Sequence, residues 1–467
     1  MAEKTRVLIL GGGFGGLYAA LEFEKHRDLR FEVTLISREN FFLFTPMLHE
    51  IAASDLDLTN IVNPVRKMIR HVNFFVGDVE KIDIENRQVV VSHGFDRHSH
   101  TLDYDQLVLA LGSVTNFFNL PGVAEHALTM KSLGDAIQLR NRLIAHLEEA
   151  DTECARAERQ PLLTFVVAGG GFAGVETIAS INDFLRDALP FYPNLKENML
   201  RVVLVHPGEF ILPELGEKLG RYADKKLRER GVEIHAKSKV LAVRPDEIEL
   251  SNGERITSST LVWTAGVSPN PTLDLIACPK ERGRIKANAN LEVEGIDGLW
   301  ALGDCALVPD AATGGFCPPT AQHASREGKI VAQNIMASIY RKPKKPFSFK
   351  TLGLLAAIGR HTGVARILGV NFSGFLAWFL WRGIYWSKLP RMEKKVRVAI
   401  DWALDVFFSK DFVQYLDQRA LAHTQTETRT APWNREQLSV AGIDDPGCSG
   451  VDHARQPGSP PPATVAS

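Results

Sequence analysis

Cysteine is scarce in this chain, and its distribution excludes several classes of protein. The 467 residues include five cysteines, an odd number, and no two of them stand in a Cys-x-x-Cys spacing. This pattern excludes a disulfide framework, a zinc ribbon and a dithiol redox motif. It predicts a reducing, cytoplasmic compartment. We also predict no metal site, because a solvated hairpin loop explains the clustered His93, His98 and His100 better than metal ligation does.

An excess of charge of either sign is also lacking. The 54 basic and 55 acidic residues leave a formal net charge of −1, which argues against a nucleic-acid binder. With 45% hydrophobic and 23% charged residues, the composition excludes wholesale disorder and a polytopic membrane protein. The first residues run directly into a strand pattern and have no signal-peptide layout.

The charge is nevertheless concentrated in one region near the C-terminus. Residues 341–400 carry thirteen Lys or Arg and a single acid, Glu393, and four of the seven tryptophans lie in or beside this stretch. Basic residues with clustered aromatics are typical of a membrane-surface element. The longest charge-free run of this region, Ile367–Trp381, has fifteen residues, and a membrane span needs about 20. We therefore expect an in-plane element; the alternative is an aromatic core or a dimer helix pair.

Short apolar runs that end in glycine divide the chain into two similar units. The runs at residues 6–10, 31–36 and 107–111 predict buried parallel strands, and residues 70–115 otherwise alternate like an antiparallel excursion. The pattern restarts with apolar runs at residues 162–168, 201–205 and 261–265. Strands that alternate with helices predict an α/β fold with two Rossmann-like, doubly wound parallel sheets. Residues 424–467 are polar and predict a disordered tail.

The first motif with chemical meaning is the turn after the first strand. It reads Gly11-x-Gly13-x-x-Gly16, follows a strand and opens a helix. The first glycine permits the tight turn, the second lets the backbone approach a pyrophosphate, and the third allows close packing of helix and strand. The N–H groups and positive dipole end of the helix then face the phosphates. In this context the motif predicts a dinucleotide site.

Two further motifs extend this interpretation. Gly169-x-Gly171-x-x-Gly174 repeats the fingerprint in the same strand–turn–helix context, so the chain holds two dinucleotides, most simply FAD and NAD(P). Gly303-Asp304 follows an apolar strand, and a carboxylate placed there accepts hydrogen bonds from the ribityl hydroxyls of a flavin. An ordinary turn aspartate is the alternative for Asp304 taken alone.

With these motifs in order, the chain resembles the two-dinucleotide flavoproteins and, more narrowly, type II NADH dehydrogenase, the single-subunit NADH:quinone oxidoreductase. The resemblance covers about residues 5–420. It rests on the segments VLILGGGFGGLYAA, NFFLFTPMLHEIA, LVLALGS, VVAGGGFAGVE, LVWTAGV, LWALGDCA, PPTAQHA and FSGFLAWFLWRGIYWSKLP. It implies hydride transfer from NADH to FAD and onward transfer of two electrons to a membrane quinone, without proton pumping.

The resemblance also implies which residues form the sites. Glu176 matches a residue near the nicotinamide end, and Ala321 and Gln322 match a motif that lines the flavin and quinone pocket; Glu176 and Gln322 are the candidate catalytic residues. The remaining FAD-binding candidates are Gly11, Gly13, Phe14, Gly15, Gly16, Ser37, Arg38, Thr45, Pro46, Val79, Ala110, Gly112, Gly303 and Asp304. The remaining NAD(P)-binding candidates are Gly169, Gly171, Phe172, Ala173, Gly174, His206 and Gly266.

Three positions depart from the family pattern. Ser37 replaces the acid that often binds the adenosine ribose of FAD, and its hydroxyl still offers one hydrogen bond. His206 stands where an acid would pair with the ribose 2′-OH and repel a 2′-phosphate, so NADPH use stays open. Arg326 replaces a second glutamine of the quinone motif, which weakens the prediction of a quinone acceptor.

The expected organisation follows from these assignments. Residues 1–115 and 267–340 form a discontinuous FAD-binding domain, residues 116–266 the NAD(P)-binding domain, and residues 341–423 a basic, aromatic and helical membrane-docking and dimerising region. The family implies a homodimer, peripheral on the cytoplasmic side of the inner (plasma) membrane. The alternatives are a soluble NAD(P)H-dependent reductase of a small electron-carrier protein, a sulfide:quinone oxidoreductase, and a non-enzymatic sensor of NAD(P)H.

Overall fold

Two five-stranded parallel sheets form the centre of the protein, whose computed structural model describes residues 4–311 and 313–415. The strands of the first sheet are, in spatial order, Leu299–Ala301, Gln106–Leu109, Thr5–Leu10, Phe31–Ser37 and Asn73–Val76. Those of the second are Leu128–Thr129, Thr260–Trp263, Thr164–Ala168, Arg201–Val205 and Val232–His235. The predicted α/β fold with two Rossmann-like sheets is confirmed.

Helices connect and cover these sheets. In chain order they are α1 (Phe14–His26), α2 (Leu48–Ala52), α3 (Val123–His126), α4 (Leu133–Thr152), α5 (Arg156–Leu162), α6 (Phe172–Ala188), α7 (Glu217–Glu229), α8 (Ala321–Ile339), α9 (Phe375–Lys388) and α10 (Met392–Leu404). The sheets have helices against them, and their central strands are therefore buried: Val7 to Leu10 are at most 4% exposed. Continuous apolar strands of this kind are the pattern that parallel sheets require.

Smaller sheets project from this centre, and their strands are antiparallel except for the parallel pair Arg284–Lys286 and Ala306–Leu307. The predicted excursion within residues 70–115 is a three-stranded sheet of Asp78–Asp83, Gln88–His93 and His98–Asp103. His93 and His100 face each other on its paired strands, with 2.8 Å between their Nε2 atoms, so these histidines belong to the strands and their ends and not to a loop. The other small sheets comprise Val240–Arg244 with Glu247–Leu250 and Arg255–Thr257, Lys280–Glu281 with Arg284–Lys286 and Ala306–Leu307, and Phe41–Leu43 with Val62–Pro64.

The two large sheets are joined by a short antiparallel ribbon. Ser113–Thr115, which leaves the first sheet, pairs with Val267–Pro269, which returns from the second. Before the C-terminal region begins, the chain crosses from one half to the other and back at this ribbon. We predicted domain boundaries at residues 115/116 and 266/267, next to the end of one ribbon strand and the start of the other; they stay a prediction.

The C-terminal region contains the predicted helices and, before them, a sheet that we did not predict. It begins with an antiparallel sheet of Gly353–Ala357, Gly363–Ile367 and Val370–Gly374, and only then continues into α9 and α10. The sheet packs against α9 and α6, so it connects the aromatic helix α9 to the half that contains the second sheet. In the part of the chain that the structure describes, no helix has the length and apolarity needed to span a bilayer. The predicted disorder of residues 424–467 concerns residues outside the described ranges.

Candidate active site

The first glycine fingerprint forms the tight turn that the sequence predicts. Gly11 has φ +108°, a conformation that side chains rarely adopt, and a Cβ there would overlap the carbonyl oxygen of Ala110. A Cβ on Gly16 would overlap the carbonyl oxygen of Gly11, so helix and strand can approach only because both residues are glycine. Gly13, the N-cap of α1, faces open space, and no described side chain caps this helix end. The turn therefore leaves the helix N-terminus available to a pyrophosphate.

The second fingerprint has the same geometry. Gly169 has φ +122°, and a Cβ on Gly174 would overlap the carbonyl oxygen of Gly169. Gly171 is the N-cap of α6, faces open space and receives no capping bond from a described side chain. Phe172 and Ala173 form the first turn of α6, and Ala173 is exposed beside the glycine turn. Both helix ends therefore fit a phosphate group, which is the first test of the two-dinucleotide interpretation.

His206 lies directly against the second turn. Its Nδ1 accepts a hydrogen bond of 3.1 Å from the backbone N–H of Gly170, and the residue is 8% exposed. Burial lowers the pKa of His206, so the ring is neutral near pH 7 and carries its proton on Nε2. A neutral ring held by the backbone of Gly170 and Phe210 thus stands where an acid would present an acceptor.

The other candidates for FAD binding surround the first turn. Ser37 ends its strand beside Gly12, and Arg38 is paired to Asp78 at 2.6 Å with 78% of its side chain exposed. Ala110 and Gly112 lie at the carboxyl end of the neighbouring strand, where Gly112 has φ +68° and faces open space. The remaining members of this group are Phe14, packed on Phe42, Gly15 in the first turn of α1, Thr45 and Pro46 in a 3-10 turn, and Val79 in the strand Asp78–Asp83. Gly266 lies further off, at the ribbon, where it accepts a bond from Asn116.

Asp304 is oriented by neighbours from three parts of the chain. Its Oδ2 accepts a hydrogen bond of 2.7 Å from the Ser113 hydroxyl, and Lys131 Nζ donates to the same Ser113 at 2.8 Å. Burial lowers the pKa of Lys131, and Asp304 acts in the opposite direction. The preceding Gly303 donates its N–H to Glu327 at 2.7 Å. Asp304 is therefore held in one orientation beside the ribbon that joins the two halves.

The predicted quinone motif lies at the start of α8. Gln322 donates from Nε2 to the carbonyl of Gly353 at 3.0 Å, which ties Ala321 and the first turn of α8 to the C-terminal sheet. Arg326 stacks on the ring of Phe349 at 3.9 Å and donates to the carbonyl of Gln322 at 2.8 Å. The guanidinium is already engaged by two neighbours. The positive charge of Arg326 thus lies beside Gln322, and no carboxylate among the described residues forms an ion pair with it.

Glu176 is the most unusual group of the site. It lies one turn into α6, is 8% exposed, and its Oε1 accepts bonds from Trp381 Nε1 at 2.9 Å and from the Ala357 N–H at 3.2 Å. Burial raises the pKa of Glu176 to about 8, and the nearby carboxyl of Glu50 adds to the rise. Glu176 is therefore protonated near pH 7. Since Oε1 is engaged as an acceptor, the proton resides on Oε2, which lies 3.9 Å from His49 Nδ1.

Sequence reasoning missed several residues that the structure brings to this place. His49 and Glu50 lie on α2 and Trp381 on α9, next to Glu176, although they are far apart in the chain. The only available signal was their position inside the segments NFFLFTPMLHEIA and FSGFLAWFLWRGIYWSKLP, which carried the family resemblance. Glu327, whose pKa burial raises to about 7, had no signal in the sequence. Both fingerprints and Asp304 follow strand ends, and Gln322 and Glu176 lie near the starts of α8 and α6; their roles stay a prediction.

Comparison with known proteins agrees with the fold and with this geometry. The model of the pyridine nucleotide-disulphide oxidoreductase family matches residues 5–328, and that of the NDH2 C-terminal domain matches residues 352–411. A probable NADH dehydrogenase of Dictyostelium discoideum is 32% identical over 88% of this chain and 92% of that protein. The type II NADH:quinone oxidoreductase Ndh of Mycobacterium tuberculosis is 31% identical over 91% of this chain and 93% of that protein.

The fold and the two glycine turns define the class: a flavoprotein of the pyridine nucleotide-disulphide oxidoreductase type. The solved structure of NDH2 from Plasmodium falciparum in complex with NADH superposes with a TM-score of 0.83 at 20% identity, over 88% of this chain and all of that one. With its C-terminal domain and its curated relatives, the chain belongs to the type II NADH dehydrogenase family.

Proposed function

We propose that this chain is an NADH:quinone oxidoreductase with FAD as its resident cofactor. The observation that carries the proposal is the position of Glu176. This protonated carboxyl lies on the helix that opens at the second dinucleotide turn, and the C-terminal aromatic helix donates a hydrogen bond to it. The protonated carboxyl therefore belongs to α6, which begins at the second dinucleotide turn, and is hydrogen-bonded by α9 of the proposed membrane-docking region. An acceptor that takes up protons together with electrons, as a quinone does, needs such a group.

FAD would be held by the first turn and by Asp304. Gly11 and Gly13 give the pyrophosphate access to the start of α1, Ser37 offers a hydroxyl to the adenosine ribose, and Asp304 accepts from the ribityl chain. When bound, FAD supplies the hydride chemistry between nicotinamide and quinone. The other FAD-binding residues predicted from the sequence remain part of this proposal, with the domain boundaries at residues 115/116 and 266/267.

The chain's own residues supply orientation and protons. NADH, one proton and a quinone give NAD⁺ and a quinol, so hydride transfer must be accompanied by one proton taken from water. Glu176 holds a proton on Oε2 at neutral pH and is the candidate donor to the quinone oxygen. Gln322, fixed to the Gly353 carbonyl through Nε2, keeps its side-chain oxygen available as an acceptor for a quinol hydroxyl.

The nicotinamide preference depends on His206. A neutral imidazole neither pairs with a ribose 2′-OH as a carboxylate would nor repels a 2′-phosphate. Because Nδ1 is occupied by the Gly170 N–H, the ring gains no positive charge without losing that bond. We therefore infer that NADH is used and that discrimination against NADPH is weak.

Membrane attachment would use the outer face of the C-terminal helices. Phe375, Phe379, Phe407 and Phe408 are 60% to 81% exposed, and Trp386 is 37% exposed. Exposed rings among Lys and Arg side chains suit the interface between headgroups and acyl chains. We infer a homodimer bound peripherally to the cytoplasmic side of the inner (plasma) membrane. Flotation with anionic vesicles tests the attachment, and sedimentation tests the dimer.

Anaerobic stopped-flow absorbance on the purified flavoprotein tests the function. NADH or NADPH is added first, and a short-chain ubiquinone or menaquinone analogue second. We expect flavin bleaching with nicotinamide and rapid return of colour with quinone. Slow reoxidation by every quinone, together with rapid reoxidation by a small electron-carrier protein, would instead support the soluble reductase.

A further inference from the structure

A small polar cavity lies behind Glu176, on the side of α2 and α6. Its volume is about 40 Å³, and one water needs roughly 10–15 Å³ of such space, so the cavity has room for about three waters. Its wall is formed by α2, α6, the turn after Gly353–Ala357, α9 and the segment that follows α10. The cavity therefore lies among the elements that also carry the neighbours of Glu176, namely His49, Trp381 and Ala357.

Charged side chains line this cavity. Lys410, whose side chain is 2% exposed, lies 2.6 Å from Asp55 and 3.6 Å from Asp187. Burial lowers the pKa of Lys410, but these carboxylates outweigh it and the net shift is upward, so the lysine stays charged. Arg382 is stacked between Trp378 and Trp402, and its buried Nε has no hydrogen-bond partner among the described residues. An unpartnered buried N–H on the wall of a polar cavity indicates bound water.

Glu50 is the carboxyl of this cavity that can gain and lose a proton near neutral pH. It is 5% exposed, and its Oε2 accepts a bond of 3.2 Å from Trp402 Nε1. Burial raises the pKa of Glu50 to about 8; Arg382 and the Trp402 bond lower it, while Asp55 and Asp405 raise it further. Glu50 and Glu176 influence each other as well. His49 and Glu50 both line the cavity, and Glu176, the second buried carboxyl with a raised pKa, lies next to His49.

His49 connects the cavity to Glu176. It lines the cavity, and its Nδ1 lies 3.9 Å from Glu176 Oε2. Burial lowers the pKa of His49 to about 4, so the ring is neutral and one of its nitrogens accepts a proton while the other releases one. A distance of 3.9 Å is bridged by a water or a small ring rotation. The opposite end of the cavity reaches Arg360, whose side chain is 40% exposed.

We propose that this cavity is the proton-uptake route of the enzyme, in which Glu50 relays protons from solvent at Arg360 and His49 passes them to Glu176. The inference rests on the proposed function, because it serves quinone reduction. The hydride of NADH brings two electrons and one hydrogen, and quinol formation needs one more proton per turnover, which the route takes from water. Glu50 affects the quinone only through Glu176, so it is a positioning residue and not a catalytic one.

The test compares the two half-reactions of Glu50→Gln with those of the wild-type holoenzyme between pH 6 and 9, in H2O and D2O. We expect flavin reduction by NADH to stay within twofold and reoxidation by a short-chain quinone to slow at least tenfold. The solvent isotope effect on reoxidation should increase, because proton delivery becomes limiting. Glu50→Asp, which keeps a carboxyl, should recover reoxidation to within about threefold. Glu22→Gln, a change at a carboxyl that is 7% exposed and outside the cavity, is the matched control.

Three outcomes would overturn the route. Reoxidation of Glu50→Gln within twofold of wild type, with an unchanged isotope effect, would show that protons arrive elsewhere. Equal slowing of both half-reactions, or loss of FAD, would give Glu50 a structural role. If no quinone reoxidises the wild-type enzyme, the proposed function itself is wrong, and this result is obtained before any variant is made.

Discussion

Replacement of Glu176 by glutamine should make the protein more resistant to unfolding at alkaline pH. A pKa raised from 4.5 to about 8 means that the folded state holds a proton which the unfolded state has lost at neutral pH. The folded state then binds more protons, so the free energy of unfolding falls as the pH rises. At about 1.4 kcal/mol per tenfold change, the carboxyl costs the wild type about 2 kcal/mol between pH 6 and pH 8.

Glu176→Gln removes this dependence and little else. The amide oxygen can still accept from Trp381 Nε1 and the Ala357 N–H, and the volume is nearly unchanged. Urea denaturation at pH 6 and pH 8 should therefore show the variant gaining about 2 kcal/mol on the wild type over this interval. In Glu22→Gln the gain should be absent, since hydrogen bonds from Gln333 and Lys25 outweigh burial and lower the pKa of Glu22. Parallel stability curves for wild type and Glu176→Gln would refute the reasoning.

Four shorter predictions concern the cofactors, packing and membrane. Asp304→Ala should lower the ratio of flavin to protein after purification, and a variant with full flavin would contradict the ribityl role. Gly328→Val should cost about 1–3 kcal/mol of stability, because its Cβ would overlap a backbone oxygen of α1; an unchanged melting temperature would show that the helices separate freely. His206→Glu should raise the kcat/KM ratio of NADH to NADPH about tenfold, and an unchanged ratio would exclude His206 as the selector. The double change of Phe407 and Phe408 to Ser should release the protein from anionic vesicles while flavin reduction by NADH stays unchanged; retention would place the anchor elsewhere.

The sequence predicted the features that depend on neighbouring residues. A buried parallel strand must be apolar on both faces, as in Val7–Leu10, and a turn that enters the left-handed region needs glycine, as at Gly11 and Gly169. These requirements are local, so both sheets and both dinucleotide turns could be predicted. Their order along the chain was sufficient for the family.

Features that depend on distant contacts could not be predicted. The strands at residues 353–374 are short and lie next to an aromatic helix, and their pairing with one another and packing on α6 decide their conformation. The environment of Glu176 comes from Ala357 and Trp381, which lie 181 and 205 residues further along the chain. The contact between Arg326 and Phe349 could not be predicted either, because nothing in the sequence places that ring against the guanidinium.

The strand order of the first sheet constrains how the chain folds during synthesis. Every strand of the second sheet comes from residues 128–263, but the first sheet is completed only when Leu299–Ala301 adds beside Gln106–Leu109. Helix α8, which packs against α1, comes later still. All strands of the second sheet therefore leave the ribosome while the first sheet, which begins the chain, still has an open edge at Gln106–Leu109. Such an edge pairs readily with other strands, so cofactor-free, partly synthesised chains are the aggregation-prone species of this protein.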